Sequence, residues 1–193
     1  MYKYPAKPKL LLHCCCAPCT SSVLERLCLD YEITLLFYNP NIEPYEEYKK
    51  RASEMMKLSH LRLIISESDL TCNNQVKLII SDHNNAEFNV ITELYQNELE
   101  GFKRCRACFE LRLGKTAQLA KSGGYDFFTT TLSVSPHKDS KLLNEIGNSL
   151  SETKPQYLCA DFKKRDGFKR SIELSKQYGL YRQNYCGCIE GKN

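Results

Sequence analysis

Apolar and polar positions along the chain follow two rhythms: compact apolar runs of strand length, and amphipathic stretches with helical spacing. The first run, Leu10 to Leu12, leads into His13 and a cysteine-rich turn. Residues 20–29 (TSSVLERLCL) then place Val23, Leu24, Leu27 and Cys28 on one helical face, with Thr20 or Ser21 as the N-cap. Residues 32–38 (EITLLFY) read as a second buried strand stopped by Asn39-Pro40-Asn41, and residues 45–58 as a helix that is basic and tyrosine-rich at its start. A short strand over 61–65 precedes the polar stretch SESDLTCNNQ, and residues 76–82 are apolar enough to be buried without declaring their type.

Residues 86–99 have helical spacing. Gly101 interrupts them before a second helix over 102–124 that carries Cys105 and Cys108 at its front and a glycine stop. YDFFTTTL is a strand by composition; SVSPHKDS is a loop-to-helix junction, and residues 140–151 continue as a helix. PQYLCADF is the last strand and RDGFKRSIELSKQYG, with apolar Phe168, Ile172 and Leu174, the last helix before the tail NYCGCIEGKN. Strands alternating with helices predict a three-layer α/β domain with a mostly parallel sheet. No repeat or low-complexity linker divides it, so residues 1–193 are expected to form one domain with a CxC tail at 185–189.

Composition narrows this picture. A length of 193 residues supports one sizeable core, and a net charge of +4 permits a nucleic-acid partner without demanding one. The apolar run after the basic N-terminus is too short for a signal peptide or a membrane span, which points to the cytoplasm. Eleven cysteines in such a compartment direct attention to metal ligation or redox chemistry, because disulfide scaffolds belong to oxidising environments.

The candidate chemistry lies at strand-to-helix turns, where α/β proteins gather backbone N–H groups and helix dipoles. In LLLHCCCAPCTSS that position is filled with sulfur. Cys105 and Cys108 form a CxxC at a helix front, a spacing that suits one metal or cluster, with the helix dipole expected to lower their pKa. Adjacent cysteines such as Cys15 and Cys16 diverge on a strand but can serve a polynuclear centre, or two neighbouring centres, from a turn. Four thiolates from two loops suit an iron–sulfur cluster or zinc.

Cys186-Gly187-Cys188 would close a very small disulfide ring, easily reduced, and Gly187 supplies the backbone freedom it needs. A tail whose thiols do nothing is the alternative. Tyr178, Tyr181 and Tyr185 favour a tail packed against the domain. Cys28, Cys72 and Cys159 are expected to be structural, Cys72 in a polar loop and Cys159 inside a strand; Cys14 is a neighbour of the ligands, and Cys19 could serve a second metal or orient the first.

His13 could be a ligand, a proton donor or a hydrogen-bonded structural residue. Ser135, His137, Lys138 and Asp139 share the expected sheet edge, with a helix cap by Ser135 or Asp139 as the plain alternative. Lys49-Lys50-Arg51, Lys103-Arg104-Arg106 and Lys163-Lys164-Arg165, with Lys169 and Arg170, are either solvated faces or contacts for a polyanion.

LLLHCCCAPC, FYNPNIEPYEEYKKR, RCRACFELRL, FFTTTLSVSPHKD and DFKKRDGFKRSIELSKQYGLYRQNYCGC together resemble the QueH-type epoxyqueuosine reductases over nearly the whole chain. The resemblance implies a fold similar to the PP-loop ATP pyrophosphatases (HUP-like). It also implies removal of the epoxide oxygen from epoxyqueuosine at the tRNA wobble position, the last step of queuosine synthesis. It makes Cys15, Cys16, Cys105 and Cys108 the ligands of a [4Fe–4S] cluster, and Cys186 and Cys188 a redox-active pair. An additional iron with Cys19 as ligand, and an electron donor still to be identified, complete the implied machinery. The proton donor is expected among His137, Lys138, Asp139 and Asp161. Two alternatives stand beside it. A PP-loop-like nucleotide-binding tRNA-modifying enzyme would want glycine in HCCCAPC, and a non-catalytic zinc-bound RNA-binding protein would leave the CGC unexplained.

Overall fold

The structure, a computed structural model, describes residues 6–61, 76–96 and 98–189, with the backbone alone of 63–64 and 71–72. Leu10, Leu11 and Leu12 are fully buried in β1 (Lys9–His13), the central strand of a five-stranded, all-parallel sheet. A strand covered on both faces reads as a continuous apolar run, which is the pattern seen there. On one side β1 pairs with β2 (Glu32–Phe37), which pairs with the edge strand β5 (Lys77–Ile80); on the other it pairs with β6 (Phe127–Thr130), which pairs with β7 (Gln156–Tyr157). The order β5-β2-β1-β6-β7 grows outward from β1 in both directions, so the connections reverse between β1 and β6. In doubly wound sheets that reversal opens a crevice at the carboxyl ends of the two strands.

Two groups of helices flank the sheet. α1 (Ala17–Leu27) packs on α2 (Tyr45–His60) and α6 (Gly167–Gln177), while α4 (Lys103–Ser122) packs on β1 and β6 between α3 (Ala86–Leu94) and α5 (Ser140–Ser149). Among the described residues no helix is long and apolar enough to cross a membrane.

Several boundaries differ from the expectations, each for a local reason. α1 starts at Ala17 with Cys16 as N-cap, one turn before Thr20, because Pro18 in the first turn has no N–H to leave unpaired. Thr20 and Ser21 lie inside the helix, where their buried hydroxyls donate to the carbonyls of Cys16 (2.7 Å) and Pro18 (2.8 Å). The undeclared segment 76–82 supplies the edge strand β5. β3 (Leu63–Ile64) pairs antiparallel with β4 (Thr71–Cys72) apart from the main sheet, so the backbone of Cys72 is a strand and not a polar loop; its side chain lies outside the described residues. The strand read into YDFFTTTL ends at Thr130 and tightens into a 3₁₀ turn, Thr131–Val134. β7 is only two residues long. Cys159 therefore lies beyond the strand and is exposed, its thiol donating to Asn148 Oδ1 at 3.0 Å.

Candidate functional site

Three segments far apart in sequence meet at the crevice between β1 and β6: the turn after β1, the front of α4 and the C-terminal tail. Where β1 ends, the Cys14 N–H still bonds the Leu36 carbonyl at 2.8 Å, and its thiol is wholly buried and donates to the Leu12 carbonyl at 3.2 Å. Burial drives the Cys14 pKa far up, so it stays a thiol of the core. His13 is also fully buried. Its Nε2–H donates to the Tyr38 carbonyl (3.0 Å), which leaves Nδ1 to accept from the Thr130 hydroxyl (2.9 Å) while that oxygen accepts from the Leu132 N–H. Burial, helped by the Arg112 charge, lowers its pKa to about 3. His13 is thus a neutral strut joining β1, β2 and β6, with no ring nitrogen to spare for a metal.

At Cys15 the chain leaves the strand and turns into α1, and the turn brings the Cys15 and Cys16 sulfurs to 3.8 Å. Cys19 follows in the first helical turn. Cys15 donates its thiol proton to Cys16; this bond and burial raise the Cys15 pKa well above normal, against the pull of Lys138 and Arg112. The bond from Cys15 draws Cys16 down, but the contact with Cys19 and burial outweigh it and push Cys16 up to about 11.

Cys105 sits in the first turn of α4, its sulfur accepting from the Gly101 N–H at 3.2 Å, and Cys108 lies one turn deeper and is buried. The expected helix-dipole effect is overridden at Cys108, where burial raises the pKa despite the opposing Arg112 charge. Arg112, one further turn along, is 3 % exposed. Its Nε donates to the Cys108 carbonyl at 3.2 Å and its guanidinium lies 5.5 Å from the Phe109 ring centre. Among the described residues no carboxylate stands within ion-pair distance of it. A buried cation facing thiols indicates a site that receives negative charge.

The tail packs down. Cys188 is buried with Cys108 and Phe88, and Cys186 and Cys188 line the same cavity as Cys105, Cys108 and Arg112. A second, wider cavity holds Cys15 and Cys19 with Thr131 and Ser135; Cys186, His137, Lys138 and Glu100 line both. The structure thereby brings Cys15, Cys19, Cys105, Cys108, Cys186 and Cys188 to two adjoining cavities.

His137 is exposed at this junction, and Lys138 projects positive charge toward Cys15 and Cys108. Asp139 lines the first cavity and is also the N-cap of α5, its Oδ1 accepting from the Lys141 N–H at 2.8 Å. Asp161 stands apart, beside a different surface crevice and paired with Lys163 at 3.3 Å.

Within the basic groups, some arginines are held by the protein itself. Arg51 and Arg104 are 1 % and 2 % exposed, Arg106 pairs with Glu110 and Glu145, and Arg170 forks onto Glu25 at 2.7 and 2.8 Å. Lys49, Lys50, Lys103, Arg106, Lys164, Arg165 and Lys169 are exposed, as either reading of these groups, solvated face or polyanion contact, requires. Sequence reasoning missed Arg112 and Arg51 as parts of the site. Arg112 had a signal, since it lies four residues after Cys108 on the same helical face; nothing local distinguishes Arg51 from Lys49 and Lys50.

Among the described residues no three metal-binding side chains converge on one point. Cys16, 1 % exposed, lines neither cavity, though its sulfur lies 3.8 Å from that of Cys15. The donor set of Cys15, Cys16, Cys105 and Cys108 is all sulfur, with the Arg112 charge beside it, and in kind suits a polynuclear cluster.

The family model described as Epoxyqueuosine reductase QueH matches residues 10–193. The chain is 39% identical over 188 residues to the Epoxyqueuosine reductase QueH of Streptococcus pyogenes serotype M1, an alignment covering 97% of this chain and 71% of the relative. It is 38% identical over 186 residues to that of Staphylococcus epidermidis, covering 95% and 76% of the two chains. It is 32% identical over 182 residues to that of Thermotoga maritima, covering 93% and 88%.

Proposed function

Because the chain belongs to the epoxyqueuosine reductase QueH family, we propose that it reduces epoxyqueuosine to queuosine at the wobble position of tRNA, in the cytoplasm. The convergence of three cysteine groups on two adjoining cavities is the observation that supports this reading most directly. The overall change balances as epoxide plus two electrons and two protons giving an alkene and water: both carbon–oxygen bonds break, a carbon–carbon double bond forms and the oxygen leaves as water.

A [4Fe–4S] cluster on Cys15, Cys16, Cys105 and Cys108, with an additional iron at Cys19, would supply one-electron transfer and an electrophilic metal. Each protein group has a task around it. Cys186 and Cys188 as a dithiol hold two electrons and two protons and become a disulfide when they release them; an external donor then restores the thiols. Arg112 and Lys138 offset the negative charge that collects among the thiolates. His137 and Asp139 line the cavity, and one of them would hand a proton to the departing oxygen. Phe88 and Cys188 pack together on the wall of the inner cavity.

The test is to incubate anaerobically reconstituted protein with epoxyqueuosine-containing tRNA and a chemical reductant, then digest the tRNA and weigh the nucleosides. Loss of one oxygen from the modified nucleoside is expected. An unchanged nucleoside with an intact cluster would overturn the assignment.

A further inference from the structure

The segment FYNPNIEPYEEYKKR takes no part in that chemistry, yet it makes a series of polar contacts to the redox tail. The Glu43 N–H donates to the Gly187 carbonyl at 2.8 Å, and Asn41 Nδ2 reaches the Cys186 carbonyl at 3.4 Å. From α2, Arg51 sends Nη1 to the Cys186 carbonyl (3.2 Å) and Nη2 to the Tyr185 carbonyl (3.1 Å). Tyr185 returns its hydroxyl to the Glu43 carbonyl. Three consecutive tail carbonyls are therefore claimed by one loop and one guanidinium.

Arg51 is itself fixed. It is 1 % exposed, its Nε bonds Glu47 at 2.7 Å, and its guanidinium lies 5.1 Å from the Tyr185 ring centre. Glu47 also accepts from the Tyr181 hydroxyl at 3.1 Å. A buried ion pair adds little net stability, because desolvation offsets its attraction, but it holds a defined geometry. The fit on the tail side is equally specific. Gly187 has φ +115°, and a Cβ there would stand 2.7 Å from Ile42 Cγ1 and 3.1 Å from Ile42 Cα. The same loop reaches the other sulfur group, with Asn39 Nδ2 donating to the Cys14 carbonyl at 2.8 Å.

We infer that the loop of residues 39–44 together with Arg51 is a dock for the tail, a set of positioning residues that holds Cys186 and Cys188 beside Cys105 and Cys108. With the carbonyls of residues 185–187 turned into the dock, the two thiols are left to line the cavity. This rests on the reading of Cys186 and Cys188 as the redox pair. The dock contacts backbone and not sulfur, so it governs where the thiols are held and leaves their chemistry to the cavity.

The test uses the full chain with Arg51→Gln, Arg51→Lys and Gly187→Ala. In reduced protein, iodoacetamide labelling of Cys188, read by mass spectrometry of the tail peptide, is expected to accelerate about tenfold or more in Arg51→Gln, the scale of losing charge-assisted hydrogen bonds. Arg51→Lys should recover part of the protection. Turnover should fall about as much in kcat, with KM for the tRNA unchanged. Gly187→Ala attacks the dock from the tail and decides the matter if Arg51→Gln does not fold. Wild-type labelling and kcat in Arg51→Gln and Gly187→Ala would overturn the dock. Should Cys186→Ser and Cys188→Ser turn over like wild type, the redox reading fails instead, while the labelling rates still judge the dock.

Discussion

Replacing Arg112 with Met should change stability in opposite directions depending on whether the cysteines carry a cluster. In the metal-free protein the guanidinium is 3 % exposed and, among the described residues, has the Cys108 carbonyl as its one hydrogen-bond partner and no carboxylate within ion-pair distance. Burying a cation without a counter-ion costs several kcal/mol, whereas the hydrogen bond contributes about 1–2 kcal/mol and Met retains most of the stem packing. Metal-free Arg112→Met is therefore expected to be more stable by about 1–3 kcal/mol, a rise in Tm of roughly 2–4 °C per kcal/mol at this chain length.

With thiolates and a cluster present the sign reverses. Nε is 3.2 Å from the Cys108 carbonyl oxygen, and the sulfur of Cys108 is four bonds from that oxygen. Charge and sulfur are thus no more than about 7–8 Å apart, worth roughly 2 kcal/mol or more per unit of negative charge at an effective dielectric constant of about 20. Loaded Arg112→Met should melt below loaded wild type, and its cluster should be harder to reduce by roughly 100 mV, the same energy converted for one electron. Anaerobic thermal unfolding of both forms and an EPR-monitored redox titration measure these effects, with Arg112→Lys as the charge-retaining control. Equal destabilisation of the metal-free and loaded forms, with an unmoved potential, would reduce Arg112 to a packing residue.

Further expectations follow from burial. His13 has an ordinary pKa of 6.5 when unfolded and about 3 when folded, so between those values the unfolded state binds the extra proton and stability falls as pH falls. Wild type should lose about 2 kcal/mol between pH 6.5 and 5, and His13→Asn should show a flatter curve; parallel curves in denaturant titrations would refute the assignment. Cys15, Cys16 and Cys108 all have raised pKa values and are thiols at neutral pH, so metal loading must release protons and tighten as pH rises. Zinc titration in weak buffer checks this, and the absence of proton release would contradict it. Gly147→Ala drives a Cβ into the Tyr157 ring and should cost about 1–3 kcal/mol in thermal stability, with turnover preserved because neither residue lines the cysteine cavities. A matching loss of turnover at permissive temperature would show that the sheet edge and the site are coupled.

The α/β alternation was legible because period-2 and period-3.6 patterns are local properties of the chain, and Leu10 to Leu12 declared the central strand through continuous apolar character. Paired cysteines at a strand end and a helix front were legible for the same reason. Boundaries were less so. Thr20 and Ser21 satisfy their hydroxyls inside α1 as readily as at its cap, and Cys159 lies beyond a strand only because β7 ends at Tyr157.

What brings Cys186 and Cys188 to Cys105 and Cys108 is long-range: the sheet order, the depth of α2 and the carbonyls that Arg51 and Asn41 claim. His13 became a strut, and Arg112 a buried charge with no ion-pair partner among the described residues, through neighbours contributed by distant strands and loops. Local pattern therefore sets the elements and the inventory of sulfur, since both depend on residues close together in the chain. Which thiols share a cavity, and which cations are buried to face them, was decided by the tertiary structure, because burial and counter-charge exist only once remote segments have packed.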